Sequence, residues 1–283
     1  MRSTGITLLL RNTLAKRKVT IILYHNPTVD VLDSHLKYLS KLYHFIALDV
    51  LVQAIRTRNW SSVPPRSMVL TIDDGHKGNY DLVNVFRKYD IRPTIYVCTQ
   101  LVNTDRHFWW QLGGLDPRPL KKLPNDERLK YLSDNYQYTP VKEYPHETRQ
   151  ALNHEEMDKM KFAIDFQSHS RFHPMLTSCG YDESAMEINQ SKKELEALLD
   201  SKCDHFSFPN GDYTERELNF AKQAGYLSCR TTDLGWNDIN ANPYRLKAMG
   251  ITDDASVNIL SLQACGIPAY LKGIFRRAFP AKT

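Results

Sequence analysis

Hydrophobic positions along the chain switch repeatedly between two periods. Residues 19–24 form a continuous apolar, β-branched run that predicts a strand, ended by Asn26-Pro27. Leu32, Leu36, Leu39 and Leu42 then recur at helical spacing, residues 45–48 predict a short strand, and residues 50–58 a helix. Residues 68–72 are a second apolar run, followed by a helix ending near Tyr89 and a strand at 94–98. After an interruption the rhythm resumes with a strand at 163–169, a helix through Met186, Ile188, Leu195, Leu198 and Leu199, and a strand at 205–208. A helix over 214–224 and last strands at 227–231 and 245–251 complete it. Strand alternating with helix predicts the α/β class and a parallel sheet with helical crossovers.

Residues 105–160 are the interruption. They carry Trp109 and Trp110, a charged stretch over 121–130 and patchy helical signals, and predict an insertion between two barrel units within a single domain. The tryptophan pair has two readings, a platform for a sugar ring or packing of the insertion onto the body.

The 283 residues are 42% hydrophobic and 24% charged, which suffices for a sizeable core, and the length allows two domains or one large α/β barrel. The net charge of +5 sits at the ends. Residues 1–18 hold Arg2, Arg11, Lys16, Arg17 and Lys18, and residues 270–283 hold Lys272, Arg276, Arg277 and Lys282, with no acid in either. The remainder has 28 basic against 32 acidic residues, so no nucleic-acid groove is indicated. Tyr270, Leu271, Ile274, Phe275, Ala278 and Phe279 recur every four residues beside the C-terminal charges, and Ile6, Leu9, Leu10 and Leu14 line the N-terminal segment. Two basic amphipathic segments, 1–18 and 266–283, thus flank a body of residues 19–265. They suit the headgroup region of an anionic membrane, with packing on the outside of the barrel as the alternative. The one N-terminal apolar run, 5–10, is too short for a signal peptide or a membrane span. Five cysteines without a Cys-x-x-Cys pair suit reduced core thiols. The expected location is cytoplasmic, peripheral on the inner face of the membrane.

Candidate chemistry gathers at two predicted strand ends. Asp73 and Asp74 follow the run 68–72 and precede Gly75. Two carboxylates there can divide their work, one binding a metal and the other taking a proton, while a solvated turn is the plain alternative. The second cluster, His169-Ser-Arg-Phe-His173-Pro174, ends the strand at 163–169, and Pro174 keeps His173 out of a helix. With Asp74 these histidines make a three-donor set suited to zinc or another first-row divalent ion. Parallel strands place their carboxyl ends on one face, so the clusters are expected to converge.

Thr71-Ile-Asp-Asp-Gly75 resembles the Thr-Phe-Asp-Asp-Gly motif of the NodB-homology polysaccharide deacetylases (family-four carbohydrate esterases), and His169-Ser-Arg-Phe-His173 matches their His-Ser/Thr-x-x-His motif. The likeness extends over residues 19–251, with Phe208-Pro209-Asn210-Gly211 similar to the third motif of a variant branch and Trp236 in the region of the fourth. The resemblance implies a distorted (β/α) barrel of about seven strands and one divalent metal, zinc first and cobalt, nickel, iron or manganese as alternatives. It also implies hydrolysis of N-acetyl groups on a polysaccharide or a lipid-linked saccharide of surface glycan biosynthesis. By the same carry-over Asp73 is the general base, Asp74, His169 and His173 are metal ligands, the backbone N–H of Asn210 is an oxyanion donor, and Pro209 and Trp236 lie beside the substrate.

The usual fifth-motif histidine is absent from residues 245–251. In family members similar to the bacterial poly-N-acetylglucosamine deacetylases, a Tyr-His after the first strand takes that place. Tyr24-His25 fits, which places Tyr24 beside the substrate and makes His25 the acid for the departing amine; a turn histidine bound to backbone is the alternative for His25. Arg245 is expected to replace the third-motif arginine in steadying Asp73, and His76 to contact substrate. Two further readings stay open, a deformylase of the same fold and an inactive saccharide-binding module, although the intact Asp-Asp and His-x-x-x-His sets argue against the second.

Overall fold

The computed structural model describes residues 12–266 together with Gly5 and Leu9. Apart from Gly266 the basic segment 266–283, and most of residues 1–11, lie outside the described residues. The chain enters β1 (Thr20–Tyr24), then α1 (Val29–Leu39), the short strand β2 (His44–Phe45), α2 (Leu48–Thr57) and β3 (Ser67–Ile72). A 3-10 turn at Lys77–Leu82 leads into α3 (Val83–Lys88) and β4 (Thr94–Val97). The predicted interruption follows, with α4 (Pro117–Leu120), α5 (Asn125–Tyr136) and α6 (His154–Met160). Next come β5 (Asp165–Ser168), α7 (Tyr181–Leu199), β6 (His205–Ser207), α8 (Glu215–Gln223), β7 (Ser228–Arg230), β8 (Met249–Gly250) and α9 (Val257–Ala264).

All strand pairings are parallel, in the order β7-β6-β5-β4-β3-β1-β8, with β2 beside the start of β3. One segment joins the two edges. The N–H of Leu246 donates to the Cys229 carbonyl at 2.9 Å and its own carbonyl accepts from Thr231 at 2.9 Å, while Met249 and Gly250 pair with Ile22 and Leu23. The sheet therefore curls into a barrel. Only residues 249–250 of the predicted strand 245–251 are strand, because Pro243–Arg245 make a 3-10 turn before the chain enters the wall. The strand expected over 45–48 likewise stops at Phe45, since Leu48 opens α2 and is buried with Leu51, Val52 and Ile55.

Side chains of successive strand residues divide between two cores. Val19, Ile21, Leu23, Val69 and Tyr96 face inward, and Leu48, Leu51, Val52 and Ile55 of α2 join them. Ile22, Tyr24, Leu70, Ile72, Ile95 and Val97 face outward into the larger core under the surrounding helices. His205 at the start of β6 pins α2 beneath the barrel, bonding the Ser228 hydroxyl at 2.9 Å and the Asp49 carboxylate at 2.8 Å. Continuing the alternation, Asp73, Ser207 and Arg230 belong to the inner face. Trp109, Leu120, Leu132 and Tyr138 form a separate small core that meets the barrel at Met175. Cys98, Cys179, Cys203 and Cys229 are buried. No helix among the described residues is long and apolar enough to cross a membrane.

Candidate active site

The site is assembled from chain reversals at the carboxyl ends of β3 and β5. Asp73 still follows the sheet, its N–H donating to the Tyr24 carbonyl at 2.9 Å. Asp74 (φ 75°) and Gly75 (φ 76°) then turn the chain in the left-handed region, and a Cβ on Gly75 would stand 2.8 Å from Val97 Cγ1. At β5, the His169 N–H donates to the Val97 carbonyl at 2.9 Å before Ser170 (φ 66°) and His173 (φ 56°) fold the loop back. Thr99 and Gln100 donate to the carbonyls of Ser170 and Arg171, both at 3.1 Å. From the other side, Oε2 of Glu187 on α7 accepts the N–H groups of Arg171 and Phe172 at 2.8 and 3.0 Å. Burial pushes this carboxyl up to about 7, against the pull of its two backbone donors.

These turns bring Asp74, His169 and His173 together. Nε2 of His169 and Nε2 of His173 each lie 3.5 Å from Asp74 Oδ1. Tetrahedral ligands of one zinc ion, each ~2.0–2.1 Å from it, stand ~3.3–3.4 Å apart, so the spacing fits a single ion. Asp74 Oδ1 is buried without a hydrogen-bond partner, and the His169 Nδ1–H donates to the Ser207 carbonyl at 2.8 Å, which turns Nε2 toward the carboxylate. Burial by itself raises the Asp74 carboxyl. The His76 hydrogen bond and the charges of His173, His76 and His169 outweigh it and hold the group well below the usual carboxylate range. Burial drives His173 well below the ordinary histidine range, which favours the neutral imidazole a metal requires. The donor set therefore fits a divalent cation.

Asp73 is held differently. Fully buried Arg230 of β7 donates to Asp73 Oδ2 and to the Ser207 hydroxyl, and its guanidinium lies 5.4 Å from the centre of the Tyr96 ring. Asp73 Oδ1 is left buried without a partner. This corrects the assignment of Arg245, which pairs with Glu215 at the start of α8 and lies over Tyr213. Arg245 ends the Pro243–Arg245 turn outside the barrel wall and does not reach Asp73. A signal for Arg230 was present, since a charged residue inside a strand buried on both faces requires an internal partner.

A cleft of about 500 Å³ opens over these groups, with His25, Trp110, Lys121, Asn210 and Thr232 in its walls. The Asp253 carboxylate holds the turn before α1, accepting from the N–H groups of His25 at 3.0 Å and Asn26 at 2.9 Å, and His25 lines the cleft. His76 lies in the same wall, its Nε2 3.2 Å from Asp74 Oδ2. Asn210 (φ 58°) follows Pro209 in the 3-10 turn Pro209–Gly211, and its backbone N–H donates to no acceptor among the described residues. Pro209 itself is buried and serves to shape that turn.

Other expected substrate contacts lie elsewhere. Tyr24 alternates onto the outer face, where its hydroxyl meets His35 Nδ1 at 2.9 Å, and His35 Nε2 reaches the Ala255 carbonyl at 2.7 Å. Trp236 packs against Lys18, whose ammonium is 5.4 Å from its ring centre, and against Gly266. The tryptophan pair divides between its two readings. Trp109 is buried and donates from Nε1 to the His173 carbonyl at 3.1 Å, whereas the Trp110 ring stands 4.3 Å from that of His173 in the cleft wall. Glu187 and Lys121 were not singled out by the sequence; Glu187 carried a signal, because it shares a helical face with buried Ser184, Ile188, Ser191 and Leu195.

No curated protein matches the chain. Solved structures do. A Streptococcus pyogenes deacetylase, PplD in complex with acetate, superposes with a TM-score of 0.64 at 19% identity, over 88% of this chain and 99% of its own. IcaB from Ammonifex degensii gives 0.63 at 15% identity, covering 88% and 97%, and the BpsB deacetylase domain from Bordetella bronchiseptica gives 0.60 at 12%, covering 83% and 96%. At these identities the likeness establishes the fold, a NodB-type barrel. Residues 61–228 match the polysaccharide deacetylase family over more than half of the chain. On that match the chain belongs to the polysaccharide deacetylase family and is a sugar deacetylase.

Proposed function

We propose that this deacetylase is metal-dependent and removes N-acetyl groups from an amino-sugar polysaccharide or a lipid-linked saccharide intermediate of surface glycan biosynthesis. The observation carrying this reading is the pairing, in one cleft, of the three-donor set Asp74, His169 and His173 with the unpartnered Oδ1 of Asp73. Asp74, His169 and His173 would hold one divalent ion, zinc by donor chemistry, which would supply Lewis acidity to the acyl carbonyl and to the attacking water. Asp73 accepts the water's proton on Oδ1 while Arg230 fixes Oδ2. The N–H of Asn210 donates to the oxyanion that develops as the carbonyl is attacked. His25 protonates the departing amine, and Trp110 offers a ring face to the sugar. The basic amphipathic pattern over 270–282 supports a place on the inner, anionic surface of the membrane.

Purified protein should carry about one divalent ion per chain, and the Asp74→Ala/His169→Ala/His173→Ala variant none, by elemental analysis. Stoichiometric metal in the triple variant would put the ion elsewhere. Asp73→Asn should lower acetate release from an N-acetylglucosamine oligomer by about 10²–10⁴-fold with metal retained, and His25→Ala should slow it with metal retained. Wild-type turnover by His25→Ala removes His25 as the acid. Glu187→Ala, which strands two loop N–H groups, should weaken metal retention roughly 10–100-fold in a chelator competition, and Glu187→Gln less, since one acceptor oxygen remains. Equal affinity in Glu187→Ala and wild type would mean that the loop holds its shape unaided. Sedimentation with anionic liposomes should fall on deleting residues 270–283 and on adding salt; binding indifferent to both removes the membrane assignment.

A further inference from the structure

The insertion places in the catalytic cleft a lysine that makes no ion pair among the described residues. Lys121 follows α4, and its ammonium crosses to the Pro209–Gly211 turn, donating to Asn210 Oδ1 at 2.9 Å. That acceptor is neutral, and among the described residues no carboxylate lies within ion-pair distance of Lys121. Of the insertion's other lysines, Lys130 pairs with Asp134 at 3.0 Å and Lys159 with Glu155 at 2.6 Å, while Lys142 donates to the Gln137 carbonyl at 2.9 Å outside the cleft. Asn210 Nδ2 donates to Asp212, which turns the amide oxygen toward Lys121. The cleft's own carboxylates already face other groups, Asp73 the Arg230 guanidinium and Asp74 the rings of His76, His169 and His173. A divalent ion on Asp74, His169 and His173 would add positive charge beyond what Asp74 neutralises. An ammonium offers three N–H donors, and one is spent on Asn210.

We propose that Lys121 selects an anionic substrate, an N-acetylated amino sugar bearing a phosphate or a carboxylate on the ring that loses its acetyl group or on the adjoining ring. The inference rests on the deacetylase reading above and deepens it. Position supports it: on that reading Asn210 would give its N–H to the acyl group, and the side chain of the same residue holds the ammonium in the cleft wall. Strength supports it too, because a hydrogen bond from an ammonium to an anionic oxygen is roughly twice as strong as one between neutral partners, and a partly desolvated cleft screens it less than bulk water does. Without such a partner the ammonium is a partly buried cation with one neutral contact.

Three N-acetylglucosamine disaccharides test this, one neutral, one carrying a 1-phosphate, and one in which the second ring is a uronic acid. Acetate release would be measured for wild type, Lys121→Met and Lys121→Arg. Wild type should favour one anionic disaccharide over the neutral one by about tenfold or more in kcat/KM, and the favoured arm tells phosphate from carboxylate. Lys121→Met should bring that ratio close to one, and Lys121→Arg should keep most of it. Equal kcat/KM for all three in wild type overturns the proposal without any variant, and so does a preference that persists in Lys121→Met. Acetate from none of the three overturns the deacetylase reading together with this one, and the absence of any turnover distinguishes that result.

Discussion

A buried guanidinium inside the barrel is the constraint on which the site depends. Arg230 is wholly removed from solvent and reaches from β7 to Asp73 at the end of β3, four strands away in the sheet order. Taking such a charge out of water costs several kcal/mol, which is recovered only by a well-placed partner and further hydrogen bonds. The Ser207 hydroxyl and the Tyr96 ring face complete the set. Removing one member of a buried pair of this kind typically costs about 3–5 kcal/mol, so the barrel's stability and the orientation of Asp73 are tied to one contact. That contact also separates two adjacent carboxylates. Asp73 is bound to a guanidinium that cannot ligate a metal, while Asp74 is surrounded by imidazoles that can, and the difference in partners gives neighbouring aspartates different chemistry.

The loops that carry these groups are held in unusual backbone. Asp74, Ser170, His173 and Asn210 all have positive φ without being glycine, and such residues cost of order 1–3 kcal/mol each unless the surroundings fix them. The surroundings do. Glu187, Thr99 and Gln100 grip the histidine loop from opposite sides, and Asp253 grips the turn that presents His25. The Glu187 bonds are part-buried and the Asp253 bond lies at the surface, and each comes from an element outside the Asp74, His169 and His173 set. The site is thus positioned by the barrel's helices and late loops as much as by the strands it terminates.

Those features divide what was legible in the sequence from what was not. The Asp-Asp and His-x-x-x-His clusters could be read because each terminates an apolar run, and a parallel sheet sends all such ends to one face. Arg245 was misjudged for want of strand parity: a basic residue near a late strand was visible, but which arginine faces the barrel interior depends on where Pro243 delays that strand. Arg230, one strand earlier, occupies the inward position. Tyr24 failed in the same way, since β1 alternates and Ile21 and Leu23 take its inner face. Trp109 and Trp110 are neighbours in sequence on a 3-10 turn, which sends one ring into the insertion's own core and the other into the cleft. Nothing in their spacing decides which.

The barrel and the insertion contribute different things to the cleft. Strand ends and their loops supply every group assigned to bond breaking, whereas Trp110 and Lys121 come from the segment between β4 and α6. The two are nevertheless joined at the loop that carries His169 and His173. Trp109 donates to the His173 carbonyl, the Trp110 ring packs on the His173 imidazole, and the Arg128 guanidinium lies 4.7 Å over the Trp109 ring. A shift of the insertion to admit a different saccharide would therefore act on the backbone and ring of His173. Substrate recognition and the geometry of the three-donor set are coupled through that one residue, which limits how far the insertion can vary while the site keeps its shape.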